Sequence, residues 1–323
     1  MDHIKLHDTR PTRPEDLYKK YYKLVDLFDF DTAQFQNSKK LFKPILEDME
    51  YYYTDALENW RINSGINKID YLIGHSFGGY WSASYALKNP DAVNDLILLS
   101  PVGMERTAYT VNTPIPDTTT DLKPSLGPNE YNFLSRYPIL SKNTILRWYY
   151  LQPYLPRLLK FMGPFGVGKY YNMWYSKLFA INKVILKLGG PTVFKSTNEL
   201  KYGTNTECQL LVEYLYNSIS NGTHSDTHIK YLLTPATTSK WPLFDKFTET
   251  SAEVLSKFTT HVIYGLHDFM NSEAGRELVN NMTQKHSLDN VHYYEVPEGG
   301  HNLYLQNPFG TNKLLADIIS RKH

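Results

Sequence analysis

Hydrophobic and polar positions along this chain follow two rhythms, and the changes between them mark out the elements. Lys68-Ile69-Asp70-Tyr71-Leu72-Ile73 is a short apolar run with the length and character of a buried parallel strand. Residues 77–88 lack proline and carry small and aromatic residues at helical spacing, and Asn89-Pro90 is a stop. Asn94-Asp95-Leu96-Ile97-Leu98-Leu99-Ser100 reads as a second buried strand. Strand, helix and strand this close together predict a right-handed βαβ unit, and with it an α/β protein. The same alternation resumes late in the chain. A strand is predicted over 260–264, a helix from about Ser272 to Gln284, a strand over 291–296 and a last helix over about 308–320. Ahead of the first strand, residues 46–63 repeat apolar and aromatic positions every three to four residues and predict an amphipathic helix closed by Gly65. Residues 1–45 read as irregular, with Pro11, Pro14 and Pro44 as breakers and one helix at about 14–28.

Between the second strand and Thr260 the alternation breaks down. Eight prolines fall between Pro114 and Pro164, interleaved with helical patches rich in Trp and Tyr, such as 145–151 and 170–175. A segment of this length between two strands is too long for a loop and predicts a helical cap over the active-site end of the sheet. The expected organisation is an irregular segment over 1–45, an α/β core over 46–103 and 259–323 with a mostly parallel sheet, and a helical cap over 104–258. Most cap aromatics are expected to form its core, and the rest to line an acyl-chain groove or meet a membrane surface. Gly163-Pro164-Phe165-Gly166-Val167-Gly168 is not a phosphate loop, because it follows no strand and lacks the Lys-Ser/Thr pair.

Composition narrows the chemistry. The formal net charge is +1 over 323 residues, which argues against a nucleic-acid partner. Cys208 is the only cysteine, so an intrachain disulfide and a cysteine-based zinc site are excluded and a reducing, intracellular compartment is expected. No apolar run approaches the ~20 residues of a membrane span, and the N-terminus does not read as a signal peptide. No metal and no cofactor are expected.

The first strand runs into Gly74-His75-Ser76-Phe77-Gly78, a Gly-x-Ser-x-Gly motif. Alone the motif is weakly specific; between a strand and a helix it predicts a nucleophile elbow, with the Ser76 hydroxyl at a helix N-terminus and the Phe77 N–H available to an oxyanion. The competing reading is a glycine turn with a solvated serine. A serine nucleophile needs an imidazole to take its proton and a carboxylate to orient that imidazole. Asp268 and His301 supply those types, each just beyond the end of a predicted strand and in the chain order Ser, Asp, His. Taken singly each is more often a turn or solvated residue. Jointly they predict a triad. His75 and His267 flank the site as competing histidines, and His75 and Gly78 are assigned to substrate contacts.

Several stretches also resemble a known family: Gly74 through Tyr80, Leu98-Leu99-Ser100-Pro101-Val102-Gly103-Met104-Glu105-Arg106, Met162 through Gly166, Tyr264 through Asn271, and Gly300 through Leu305. Together they are similar to the α/β-hydrolase superfamily, in the fungal branch that includes lysophosphatidic acid acyltransferases and a cardiolipin-specific deacylase, related to the animal abhydrolase-domain 4/5 proteins. The resemblance covers about residues 45–315. It implies the α/β-hydrolase fold and a serine acyl hydrolase or acyltransferase acting on glycerophospholipids, with Ser76 as nucleophile, Asp268 as orienting acid and His301 as base. It also implies a phospholipid or lysophospholipid substrate, acyl-CoA as co-substrate of a transferase, peripheral membrane contact through the cap, and residence in the mitochondrion, the cytoplasm or at a lipid-droplet surface. Relatives lacking the serine supply the alternative, a non-catalytic lipid-binding or regulatory protein.

The chain departs from the family pattern twice. The transferase-associated motif places an aspartate five residues after the catalytic histidine, where this chain has Gln306. The family also places a strand and a His-Gly oxyanion loop before the helix at 46–63, whereas no glycine precedes Gly65 here. An incomplete gene product or a degenerate relative is therefore expected, with the strand before Ser76 left as an apolar sheet edge.

Overall fold

The computed structural model describes residues 32–106, 110–112, 162–187, 197–220, 228–233 and 238–320. The elements in chain order are α1 (Thr32–Asn63), β1 (Ile69–His75), α2 (Phe77–Lys88), β2 (Val93–Leu99), α3 (Gly163–Lys187), α4 (Thr197–Ser220), α5 (Ile229–Leu232), α6 (Leu243–Glu249), α7 (Ala252–Leu255), β3 (Thr259–Gly265), α8 (Ser272–His286), β4 (Val291–Val296), α9 (Leu303–Gln306) and α10 (Pro308–Ser320). The strands form one sheet in the order β1-β2-β3-β4. β1 pairs parallel to β2, with Tyr71 opposite Asp95 and His75 opposite Leu99, and β2 pairs parallel to β3. The protein has the α/β-hydrolase fold, with the helix and strand boundaries of 77–88, 291–296 and 308–320 where the hydrophobic pattern places them.

β2 is buried almost throughout, as a central parallel strand should be. β1 lies at an edge of the described sheet, and Ile73 remains 45% exposed on it. The described residues ahead of β1 are all helix or its short connection, so the expected apolar edge is present among them.

Two expectations for the organisation are corrected. The helix expected to start at 46 starts at Thr32 and runs through Pro44. An internal proline costs a helix ~3 kcal/mol or more. Phe42, Ile45, Leu46 and Met49 are buried around it, and each such side chain contributes roughly 1.5–3 kcal/mol, so packing outweighs the local penalty. The helices expected at 14–28 and 145–151 lie outside the described residues. The cap was expected to run to 258, but residues 228–233 and 238–258 belong to the unit that holds most of the sheet. Leu243 and Phe244 donate their N–H groups to the carbonyls of Gly103 and Met104, and Asp245 pairs with Arg106, both side chains being buried. The end of the insertion is therefore held by the strand-end loop that begins it.

The contacts divide the chain into two units. The first comprises 1–145, 224–264 and 268–295, and so holds α1, α2, α5 to α8 and nearly all of the sheet. In it Lys240 is fully buried. Its ammonium donates to the carbonyls of Tyr231 (3.0 Å) and Leu233 (2.9 Å), and burial lowers its pKa to about 7. The second unit comprises 146–223, 265–267 and 296–323. There α3 packs on α4 around Leu178, Cys208 and Val212, with Val167, Tyr170, Tyr171, Trp174, Tyr175 and Leu211 against them. The lone cysteine is thus a core residue. The final stretch from 296, expected in the core, groups with these helices.

Candidate active site

Ser76 follows the last residue of β1 and precedes the first of α2, with φ 53° and ψ −119°. For a residue with a Cβ this left-handed region costs about 1–2 kcal/mol, so surrounding bonds have to hold it. They do. The Ser76 N–H donates to Leu99 O (3.0 Å), and its carbonyl accepts from the N–H groups of Tyr80 and Val102 (3.2 Å each). The turn is thereby tied both to its own helix and to the end of β2.

The glycines of the motif divide the steric work unevenly. A Cβ on Gly74 would stand 2.5 Å from Ser82 Oγ and 2.8 Å from Gly78 O, so only glycine lets the strand meet the helix this closely. Gly79 is also tight, 3.1 Å from Gly74 O and from Pro101 Cβ. A Cβ on Gly78 would meet nothing within 4 Å. Gly78, exposed at the start of α2, is not required for want of space.

Phe77, whose N–H opens the helix, is fixed by an aromatic cluster that periodicity alone did not reveal. Its ring meets those of Tyr53 and Trp81 edge-on, at 5.8 Å each, and Tyr53 stacks on Trp81 at 4.6 Å. The Tyr53 hydroxyl is 3.0 Å from Nδ1 of His228, which is buried. The sequence signal was present in Tyr51-Tyr52-Tyr53, but nothing in it tied residue 53 to residue 228.

Asp268, three residues past β3, is buried, and its Oδ1 accepts the N–H of Met270 (3.0 Å). Asn271 caps α8 through the N–H of Ala274 (3.2 Å), and its amide donates to Glu105 in the loop after β2. Glu105, half-buried in the structure, is a residue that sequence reasoning missed, since nothing in a loop glutamate announces that it will be drawn out of solvent. Desolvation raises its pKa to about 6, against the pull of the Asn271 hydrogen bond. Its folded pKa lies above that of an ordinary glutamate, so the folded state holds this proton more tightly. The stability it confers is full below the unfolded pKa and falls as the pH climbs through the folded one. Urea melts of wild type between pH 4.5 and 6.5 are expected to lose on the order of 1–2 kcal/mol that Glu105→Gln does not lose.

His301 lies in the second unit, in the turn between β4 and α9, and is half-buried. That turn is held by the loop after β3: Leu266 N–H donates to Val296 O (3.0 Å) and His267 N–H to Gly299 O (2.8 Å). Backbone meets backbone there, since a Cβ on Gly265 would lie 2.5 Å from the carbonyls of Gly299 and Gly300. Gln306 folds back over the same turn, its side-chain oxygen 2.5 Å from where a Cβ of Gly300 would be. Of the competing histidines, His267 is an exposed surface residue with Glu298 at 3.8 Å, and His75 closes β1 half-buried. Ser76 and Asp268 thus occupy strand ends in the first unit, and His301 the end of the next strand in the second. Among the described residues no cluster of His, Cys, Asp and Glu is arranged to hold a metal.

A strained serine between a parallel strand and a helix is the geometry of a nucleophile elbow, and the family model for the alpha/beta hydrolase fold matches residues 28–138. More particularly, the chain is 29% identical over 279 residues to Protein ECM18 of Saccharomyces cerevisiae, covering 86% of this chain and 54% of that protein. It is 29% identical over 294 residues to the 1-acylglycerol-3-phosphate O-acyltransferase ICT1 of the same yeast, covering 86% of this chain and 62% of that protein. It is also 26% identical to a 1-acylglycerol-3-phosphate O-acyltransferase of Arabidopsis thaliana, over 82% of this chain and 52% of that protein. The chain therefore spans between about half and three fifths of the length of these relatives.

Proposed function

We propose that this chain carries the serine centre of an acyl hydrolase or acyltransferase acting on glycerophospholipids, with lysophosphatidic acid acylation or phospholipid deacylation as its reaction. The observation that carries this reading is the backbone of Ser76, held at φ 53° by three hydrogen bonds where an unstrained turn would serve any purely structural need. Relatives named as 1-acylglycerol-3-phosphate O-acyltransferases support the lipid class.

In the proposed chemistry Ser76 Oγ attacks the acyl carbonyl while His301 takes its proton, and Asp268 stabilises the imidazolium. The oxyanion is received by the Phe77 N–H at the positive end of α2. Collapse expels the alcohol or thiol, which takes the proton back from His301, and leaves an acyl-serine. Water or a lysophospholipid hydroxyl then attacks that ester by the same steps in reverse. With acyl-CoA as donor the sequence is a transfer; with a phospholipid donor and water it is a deacylation.

The test is a fluorophosphonate probe with the adduct located by peptide mass spectrometry. Modification is expected at Ser76 and nowhere else. A folded protein that takes up no probe would falsify the reading, and lipid binding retained in that case would identify a non-catalytic relative.

A further inference from the structure

Helix α3 carries a second feature that the serine chemistry does not use. Its 25 residues include Lys169, Lys177, Lys183 and Lys187 and no aspartate or glutamate. One side, at four-residue spacing, reads Phe165, Lys169, Met173, Lys177, and all of these are exposed. Phe165 is 64% and Met173 44% exposed. The other side of the helix is the one that packs on α4, through Val167, Tyr170, Trp174 and Leu178. A surface helix ordinarily turns a uniformly polar face to water once its apolar face is buried. Here one ridge of the outward face alternates large apolar side chains with cations, beside a second exposed ridge of Gly168, Asn172 and Ser176 that is small and uncharged.

The lysines also lie along apolar neighbours rather than extending freely. Lys169 Nζ is 5.0 Å from the centre of the Phe165 ring, and Lys177 Nζ is 5.4 Å from the centre of the Trp174 ring. Such a side chain covers apolar surface with its stem while its head stays at a polar boundary. α4, in the same unit, carries Glu199, Glu207 and Glu213 against Lys201, so the cation excess sits on α3 and not on its neighbour. Among the described residues no helix is long and apolar enough to cross a membrane, which fits a helix that lies on a bilayer.

We infer that the outward face of α3 docks on an anionic lipid surface. Phe165 and Met173 enter the boundary between headgroups and acyl chains, and Lys169 and Lys177 face the lipid phosphates and carboxylates. The charge of the helix selects the partner, since a neutral bilayer gives the lysines nothing to pair with. This inference stands apart from the role of Ser76.

The full chain is to be sedimented with vesicles of phosphatidylcholine alone and of phosphatidylcholine containing one part in three phosphatidylserine. Binding is expected only to the anionic vesicles, and weaker at high salt. K169Q/K177Q is expected to lower the partition coefficient roughly 30-fold, about 5-fold for each lysine. K169R/K177R is expected to retain binding, F165S/M173S to weaken it, and Ser76→Ala to leave it unchanged. All these side chains are exposed, apart from Ser76, so melting temperatures should match wild type and separate a docking defect from misfolding. Equal binding to neutral vesicles, no binding to either, or an unaltered K169Q/K177Q protein would each overturn the inference.

Discussion

Ser76→Gly is expected to yield a protein more stable than wild type and chemically inert. The residue sits at φ 53°, where a Cβ costs about 1–2 kcal/mol and glycine costs nothing. Part of that relief is lost because glycine is freer in the unfolded chain, by ~0.5–1 kcal/mol, leaving a net gain of up to about 1 kcal/mol. Ser76→Ala keeps the Cβ and the strain, so its urea midpoint should stay near wild type. Neither variant keeps the proposed nucleophile, and ester turnover should fall on the order of 10⁶-fold, as when the catalytic serine is removed from subtilisin. Paired urea melts and turnover assays read both effects. A glycine variant less stable than the alanine variant would show that the serine backbone is not under strain.

Gly265→Ala is expected to damage activity far more than a single methyl group suggests. The new Cβ would lie 2.5 Å from the carbonyl carbon and oxygen of Gly299 and from Gly300 O. These are backbone atoms, which cannot rotate aside as a side chain can. The turn must shift, and the next residue is His301. Overpacking of this kind costs about 1–3 kcal/mol in stability. A displacement of ~1 Å at a proton acceptor costs roughly 10²-fold in rate. The check is the rate of fluorophosphonate labelling beside a melt, with Gly78→Ala as the comparison, because its methyl meets nothing within 4 Å. Labelling by Gly265→Ala at the wild-type rate would mean that the turn does not place a base, against the role proposed for His301.

Much of the sheet was legible because its signals are local. The apolar runs that became β1 to β4, and the Gly-x-Ser-x-Gly that became the elbow, need no partner to be recognised. Pro44 misled for the converse reason: its penalty is local, whereas the burial of Phe42, Ile45 and Leu46 that outweighs it depends on distant chain. The pairing of Arg106 with Asp245 and the desolvation of the half-buried Glu105 were hidden in the same way, since a charged residue in a loop predicts solvent until the partner packed over it is known. The motif does not distinguish Gly74 from Gly78, whereas the fold does: a Cβ on the first would collide with Ser82 and Gly78, and a Cβ on the second would meet nothing within 4 Å.

The Tyr53–His228 contact behind the elbow joins residues 175 apart in the chain, and Lys246 reaches Glu50 across 196. Closures over such distances cannot form until most of the polypeptide exists, and their loop entropy must be met before the contacts return anything. During synthesis the Tyr53, Phe77 and Trp81 rings therefore emerge well before the histidine that completes their surroundings. Their surface is a sticky one in the interval, so the residues that hold Phe77, the proposed oxyanion donor, are also those through which a growing chain is exposed to misassembly and to chaperone capture.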